Sequence, residues 1–156
     1  MNALFILSIG LIGCGDKEGD SGTDADTEIA EEIWGEIGDL QTWNQLSGWE
    51  GVVESSSVHG GSVQIWLNSL AYDALSNNGE VPDGGVIVKE SFSDAAGAEL
   101  KDYTVMKKIS GYNADGADWF WAKFETDGSV ATAGSPDMCT GCHSANADYL
   151  QFTNME

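Results

Sequence analysis

Between residues 62 and 124 short strand-like runs of alternating, β-branched or aromatic residues recur, and turn residues close each run. Ser62 to Asn68 sets Val63, Ile65 and Leu67 against polar neighbours. Val86-Ile87-Val88-Lys89-Glu90 is β-branched, and Tyr103 to Lys108 and Trp119 to Phe124 repeat the pattern. Asn77-Asn78-Gly79, Pro82-Asp83-Gly84-Gly85 and the glycine- and asparagine-rich stretch 111–117 are strong turn signals. A period of two turns one face of each run toward a core, and hairpin-length links set neighbouring runs side by side. The expectation is a mainly β domain of the α+β kind, with four short strands in an antiparallel sheet and short helices. Leu70 to Leu75 predicts one or two helical turns, and Ile29, Ile33, Trp34 and Ile37, at helical spacing, predict an entry helix. No segment recurs at a period of roughly 20 to 50 residues, which excludes a solenoid.

A chain of 156 residues is long enough to bury one core without disulfides. Its charge is lopsided: 26 Asp and Glu face 6 Lys with no Arg, a net charge of −20. Nucleic acid and anionic lipid surfaces need clustered cations, so both are excluded as partners by this reading. An acidic surface would instead steer a basic redox partner. Six tryptophans and 42% apolar residues argue against a wholly disordered chain.

The ends of the chain differ from its middle. Met1 to Gly13 is an apolar run of signal-peptide length, too short to span a bilayer, with no Lys or Arg before it. It leads into Leu11-Ile12-Gly13-Cys14, which resembles the lipobox of bacterial lipoproteins and implies lipid modification of Cys14. Residues 15–32 hold eight carboxylates and one lysine among Gly, Ser and Thr, which reads as a solvated tether rather than core. Their spacing does not match a calcium loop. The expected organisation is a signal peptide over 1–13, an acidic tether over 14–32 and one domain over 33–156. Such a protein would be anchored to a bacterial envelope membrane through lipid only, facing the periplasm or the cell exterior.

Cys139-Thr140-Gly141-Cys142-His143 is the sharpest motif in the chain. C-x-x-C-H is the attachment site of c-type haem. Residues three apart share one side of a helical turn, so both sulfurs reach one porphyrin edge, and the following histidine presents its imidazole to the iron. One covalent haem c, held by Cys139 and Cys142 with His143 as proximal iron ligand, then accounts for two of the three cysteines, and lipidation of Cys14 for the third. The alternatives are weaker. Structural zinc needs four ligands, and outside the motif the chain adds only His59 and no second Cys pair. A thioredoxin-like pair belongs near the start of a βαβ unit, not near a chain end.

Four stretches carry a resemblance to the cytochrome P-460 family, which includes cytochrome c′-beta. They are Pro82-Asp83-Gly84 with Val86 to Glu90; Tyr103-Thr104-Val105-Met106-Lys107-Lys108; Asp118-Trp119-Phe120-Trp121; and the C-x-x-C-H motif followed by Asp148-Tyr149 and Phe152-Thr153. An extra residue stands between Tyr149 and Phe152 relative to the family pattern. The resemblance implies a mostly β homodimer with a C-terminal haem-attachment helix and five-coordinate haem c. It implies two activities. Cytochromes P-460 cross-link a lysine to the porphyrin and oxidise hydroxylamine, whereas cytochromes c′-beta bind nitric oxide or similar gases. The lysine motif of the former falls on Asp83 to Glu90 and points to Lys89. As an ordinary strand lysine, Lys89 would hold its head in water with no cross-link. That reading is preferred here, because no distal base for substrate oxidation stands out.

A filled sixth iron position favours electron transfer, and an open one favours gas binding or substrate oxidation. The residues able to fill it are His59, Met106 and Met155; each has a commoner role, His59 as a turn residue bonding the backbone and Met106 as core filler. The distal cap is expected to be aromatic, from Trp66, Phe92, Trp119 or Phe120. Without arginine, the propionates would be met by Lys107, Lys108 or Lys123, or by indole and phenol donors. Three function classes stay open: a haem protein binding a small gaseous or nitrogenous ligand, a hydroxylamine-type oxidoreductase, and a plain electron carrier.

Overall fold

A capping box opens the first helix of the computed structural model, which describes residues 22–150. Thr23 accepts from the Asp26 amide at 3.2 Å, and the Asp26 carboxylate accepts from the Thr23 amide at 3.0 Å. The helix, α1, runs Asp24–Ile37 and stops at Gly38, whose φ of 58° a residue with a Cβ rarely adopts. It therefore begins inside the segment read as a tether. Ala30 is fully buried and Ile33 and Ile37 nearly so, at a spacing that lays one helix face on the sheet. Each buried isoleucine contributes about 1.5–3 kcal/mol of hydrophobic stabilisation, enough to dock a helix whose outer face is acidic. Cys14 and residues 1–13, like Phe152, Thr153 and Met155, lie outside the described residues.

Six strands follow in the order β1 (Val53–Glu54), β2 (Ser62–Leu67), β3 (Val86–Phe92), β4 (Leu100–Lys108), β5 (Trp119–Phe124) and β6 (Val130–Gly134). Every neighbour in this one sheet is also a neighbour in sequence, and every pair is antiparallel. The mainly β, α+β expectation holds, with two strands more than the four expected. Helix α2 (Ser69–Ser76) fills the link from β2 to β3, capped by the Asn68 side chain on the Ala71 amide at 3.0 Å. Helix α3 (Asp137–His143) follows β6.

Both faces of the sheet are covered. Trp66, Val86, Val88, Val105, Phe120 and Phe124 pack under α1. Ile65, Leu67, Ile87, Met106, Trp119 and Trp121 point to the other face, where they meet Ala71 of α2, Cys139 of α3 and Tyr149 beyond it. The parity of the strands decides which residues the second face receives.

Candidate functional site

Register builds the floor of a cavity on that second face. Ile87, Met106 and Trp121 lie side by side across β3, β4 and β5, and Lys89, Thr104 and Lys123 form the next row. All six line a cavity of about 390 Å³. Its far wall is α3, which brings Cys139, Cys142 and His143 to the same space, and a third side is the loop carrying His59. A second cleft, about 550 Å³, lies beside α1 and contains none of these residues.

His143 is buried, and its Nδ1 lies 2.8 Å from the Tyr149 carbonyl oxygen. With Nδ1–H donating to that carbonyl, Nε2 is the nitrogen left as a ligand. The carbonyl is held by unusual backbone. Asp148 and Tyr149 both have positive φ, 49° and 56°. Such strain persists where surrounding contacts over-determine it. Here the Asp148 carboxylate pairs with Lys108, the Trp119 indole donates to the Asp148 carbonyl at 2.9 Å, and the Tyr149 hydroxyl donates to the Asp115 carbonyl at 3.0 Å. Sequence reasoning singled out Asp148-Tyr149 only as part of a resemblance, and no local signal announces two adjacent left-handed residues.

Lys89 lies half-buried in the cavity wall, where the sequence reading set its head in water. Lys89 shares its strand face with Ile87, and burial pulls its ammonium down to about 8. Burial likewise lowers His143, and lowers His59 to about 4, with the charges of Lys89 and His143 adding to it. No group among the described residues hydrogen-bonds the His59 ring, against the expectation that it bonds the backbone in a turn. Its ring centre lies 6.4 Å from that of His143, the planes at 81°.

Two other expectations change. None of Trp66, Phe92, Trp119 and Phe120 lines the cavity; the aromatic residue there is Trp121, 4.8 Å from His143 between ring centres. Trp66 and Phe120 face α1 by strand parity, and Trp119 is fully buried beneath Asp148 and Lys108. Of the lysines expected near propionates, Lys107 bonds Glu36 at 2.5 Å on the α1 side and Lys108 is paired with Asp148. Lys123 does line the cavity, joined by Lys89 and by Lys101, which sequence reasoning missed. Half of the chain's six lysines thus face one space, whose lining contains a single carboxylate, Asp102, 3.1 Å from Lys123 and 3.8 Å from Lys101.

This donor set suits haem. Two cysteines one helical turn apart precede a histidine with one free nitrogen, an apolar floor lies opposite, and lysines are present for two carboxylates. Trp121 adds an indole N–H that is buried with no acceptor among the described residues, the mark of a wall completed by a group the chain does not supply. Among the described residues no group of three or more His, Cys, Asp or Glu side chains is placed to hold a bare metal ion.

The family model of cytochrome P460 matches residues 41–151. The chain belongs to the cytochrome P460 family. Members of the cytochrome P460 family bind haem c, so this is a haem protein. The match spans all six strands and α3 but leaves out α1, which the sheet nevertheless buries. No protein with a curated description matches the chain.

Proposed function

We propose that the chain carries one haem c, thioether-bonded through Cys139 and Cys142 and ligated by His143, and acts as an oxidoreductase on hydroxylamine or a similarly small nitrogenous substrate. The observation that carries this reading is the shared wall: Lys89 faces the same cavity as Cys139, Cys142 and His143. The haem supplies one-electron chemistry and a ligand position. The chain's residues do the rest. Lys89, with its ammonium lowered to about 8, keeps a share of free amine near neutrality; a link to the porphyrin edge would replace a ring C–H by C–N, with the two protons and two electrons released to an external oxidant of the peroxide class. Lys101 and Lys123 are the cations available to the propionates, and Ile87 and Met106 exclude water from the floor.

Binding of nitric oxide or a similar gas is the second reading, favoured by the apolar floor of the cavity. In either case we propose that electrons pass to or from a basic partner protein, and that Cys14 anchors the chain by lipid on the outer side of a bacterial inner membrane or on the outer membrane.

Intact mass and tryptic mapping of protein made beside a cytochrome c maturation system test the reading. The expected result is one haem per chain, with a Lys89 peptide joined to it. A haem attached at the cysteines alone, with an unmodified Lys89 peptide, would move the protein to the gas-binding reading. A colourless product would refute both.

A further inference from the structure

The cavity has a residue on the side facing His143 that the proposed function does not use. The His59 ring is half-buried in the wall, 6.4 Å from the His143 ring centre and nearly perpendicular to it. Two imidazoles that share one metal through their near nitrogens, at about 2 Å each, have ring centres about 6.5 Å apart. A distal base standing off a bound substrate would lie further away, since the substrate would occupy the space between. The nitrogens suit a pair of ligands. His143 has Nδ1 engaged by the Tyr149 carbonyl and Nε2 left over, and no group among the described residues hydrogen-bonds the His59 ring.

The backbone that presents His59 is fixed at its base. The Gly61 amide donates to the Phe92 carbonyl at 2.9 Å and the Ser55 amide to the Gly61 carbonyl at 3.0 Å. At Gly60, φ is 145° and a Cβ would come 2.2 Å from the Phe92 carbonyl oxygen, so only glycine lets the loop lie this close to β3. The tip is open: Ser56, Ser57 and Val58 are exposed, Val58 by 81%. Such a loop sets a side chain over the cavity and leaves room outside for it to swing away.

We propose that His59 is the second axial ligand of the haem iron in the resting protein, opposite His143, a departure from the five-coordinate iron that the resemblance implied, and that an incoming ligand reaches the iron only after His59 leaves. The proposal rests on haem attachment at Cys139 and Cys142, and it deepens the proposed function by closing the site at rest.

The test is spectroscopic. Optical and electron paramagnetic resonance spectra of the ferric wild type should be those of a low-spin, bis-histidine haem, without the far-red band of thioether ligation. His59→Ala should shift the iron to a high-spin signal, and added imidazole should return it to low spin. Carbon monoxide binding to the ferrous wild type should level off in rate as its concentration rises, limited by departure of His59. In His59→Ala the rate should stay proportional to concentration. A high-spin wild type would overturn the proposal. So would a low-spin signal that persists in His59→Ala, which would assign the position to Lys89 or Met106. The haem mass on Cys139 and Cys142 is read independently in the same samples; its absence would remove the haem reading itself rather than the choice of ligand.

Discussion

His143, the proposed proximal ligand, depends on Asp148 through the backbone that joins Asp148 to Tyr149. Asp148 holds its left-handed backbone through Lys108 and through the Trp119 indole, and that backbone carries the Tyr149 carbonyl to His143. Both partners of the pair are largely out of water, with side chains 11% and 13% exposed. Removing one member of a buried pair leaves the other charge uncompensated and costs about 3–5 kcal/mol. Asp148→Ala should therefore lower the unfolding free energy read from urea titration by that much. It should also loosen the hydrogen bond at His143 Nδ1, raising the reduction potential of the haem as the ligand becomes less basic. Asp148→Asn keeps the shape and loses the charge; it should retain most of the potential while losing stability. Equal effects of the two variants on the potential would show that charge, not carbonyl placement, is what matters.

Among the elements, α1 shows how sequence can mislead about a boundary. Its first turn is acidic, and Ile29 and Ala30 disappear among eight carboxylates when composition is averaged over 15–32, while Ile33 and Ile37, the rest of the buried stripe, fall beyond that stretch. Asp26 is the hinge of its docking. Burial alone would raise its carboxyl, but hydrogen bonds from the Tyr112 hydroxyl and from Thr23 outweigh burial and leave it below the ordinary 3.8. A carboxyl depressed on folding contributes stability that is present above pH 3.8 and is lost as pH falls through the folded value. Asp26→Ala should cost about 1–2 kcal/mol near neutrality, the range of a lost cap, and should flatten the acid limb of stability against pH. Circular dichroism melts from pH 7 to pH 2 read both.

The strands were legible to the extent that their side chains alternate. Trp119–Phe124 has the bounds its pattern predicts, whereas Val130–Gly134 is built of small residues and Val53–Glu54 is too short to carry a period. Face was harder to read than element. In Trp119-Phe120-Trp121 aromatics stand on both sides of the sheet, so hydrophobicity alone cannot say that Trp121, and not Phe120, reaches the cavity. The same ambiguity hid the inward side of Lys89. The C-x-x-C-H motif was legible because its spacing is local, and the facing of His59 and His143 was not because it needs the whole sheet between them.

At the scale of the molecule, charge is partitioned rather than merely excessive. The chain carries −20 overall, yet three of its six lysines line the one cavity, where the carboxylates of a haem would need them. The rest of the surface is left with almost nothing to balance its acids. Lys107 and Lys108 are themselves paired, with Glu36 and Asp148. A partner exchanging electrons with this surface meets a field of one sign, which speeds encounter with a basic protein and slows it with an acidic one. Exposed charges are screened over about 8 Å at physiological salt, so the advantage is an ionic-strength effect on rate. Stopped-flow reduction by a basic cytochrome should slow by about 10-fold or more between low salt and half-molar salt, while an acidic flavodoxin-like donor should speed up. The haem spectrum should be the same at both salts, since Lys101 and Lys123 sit against Asp102 and Lys89 is shielded by burial. A rate indifferent to salt with the basic donor would mean that electrons leave by a route the acidic surface does not govern.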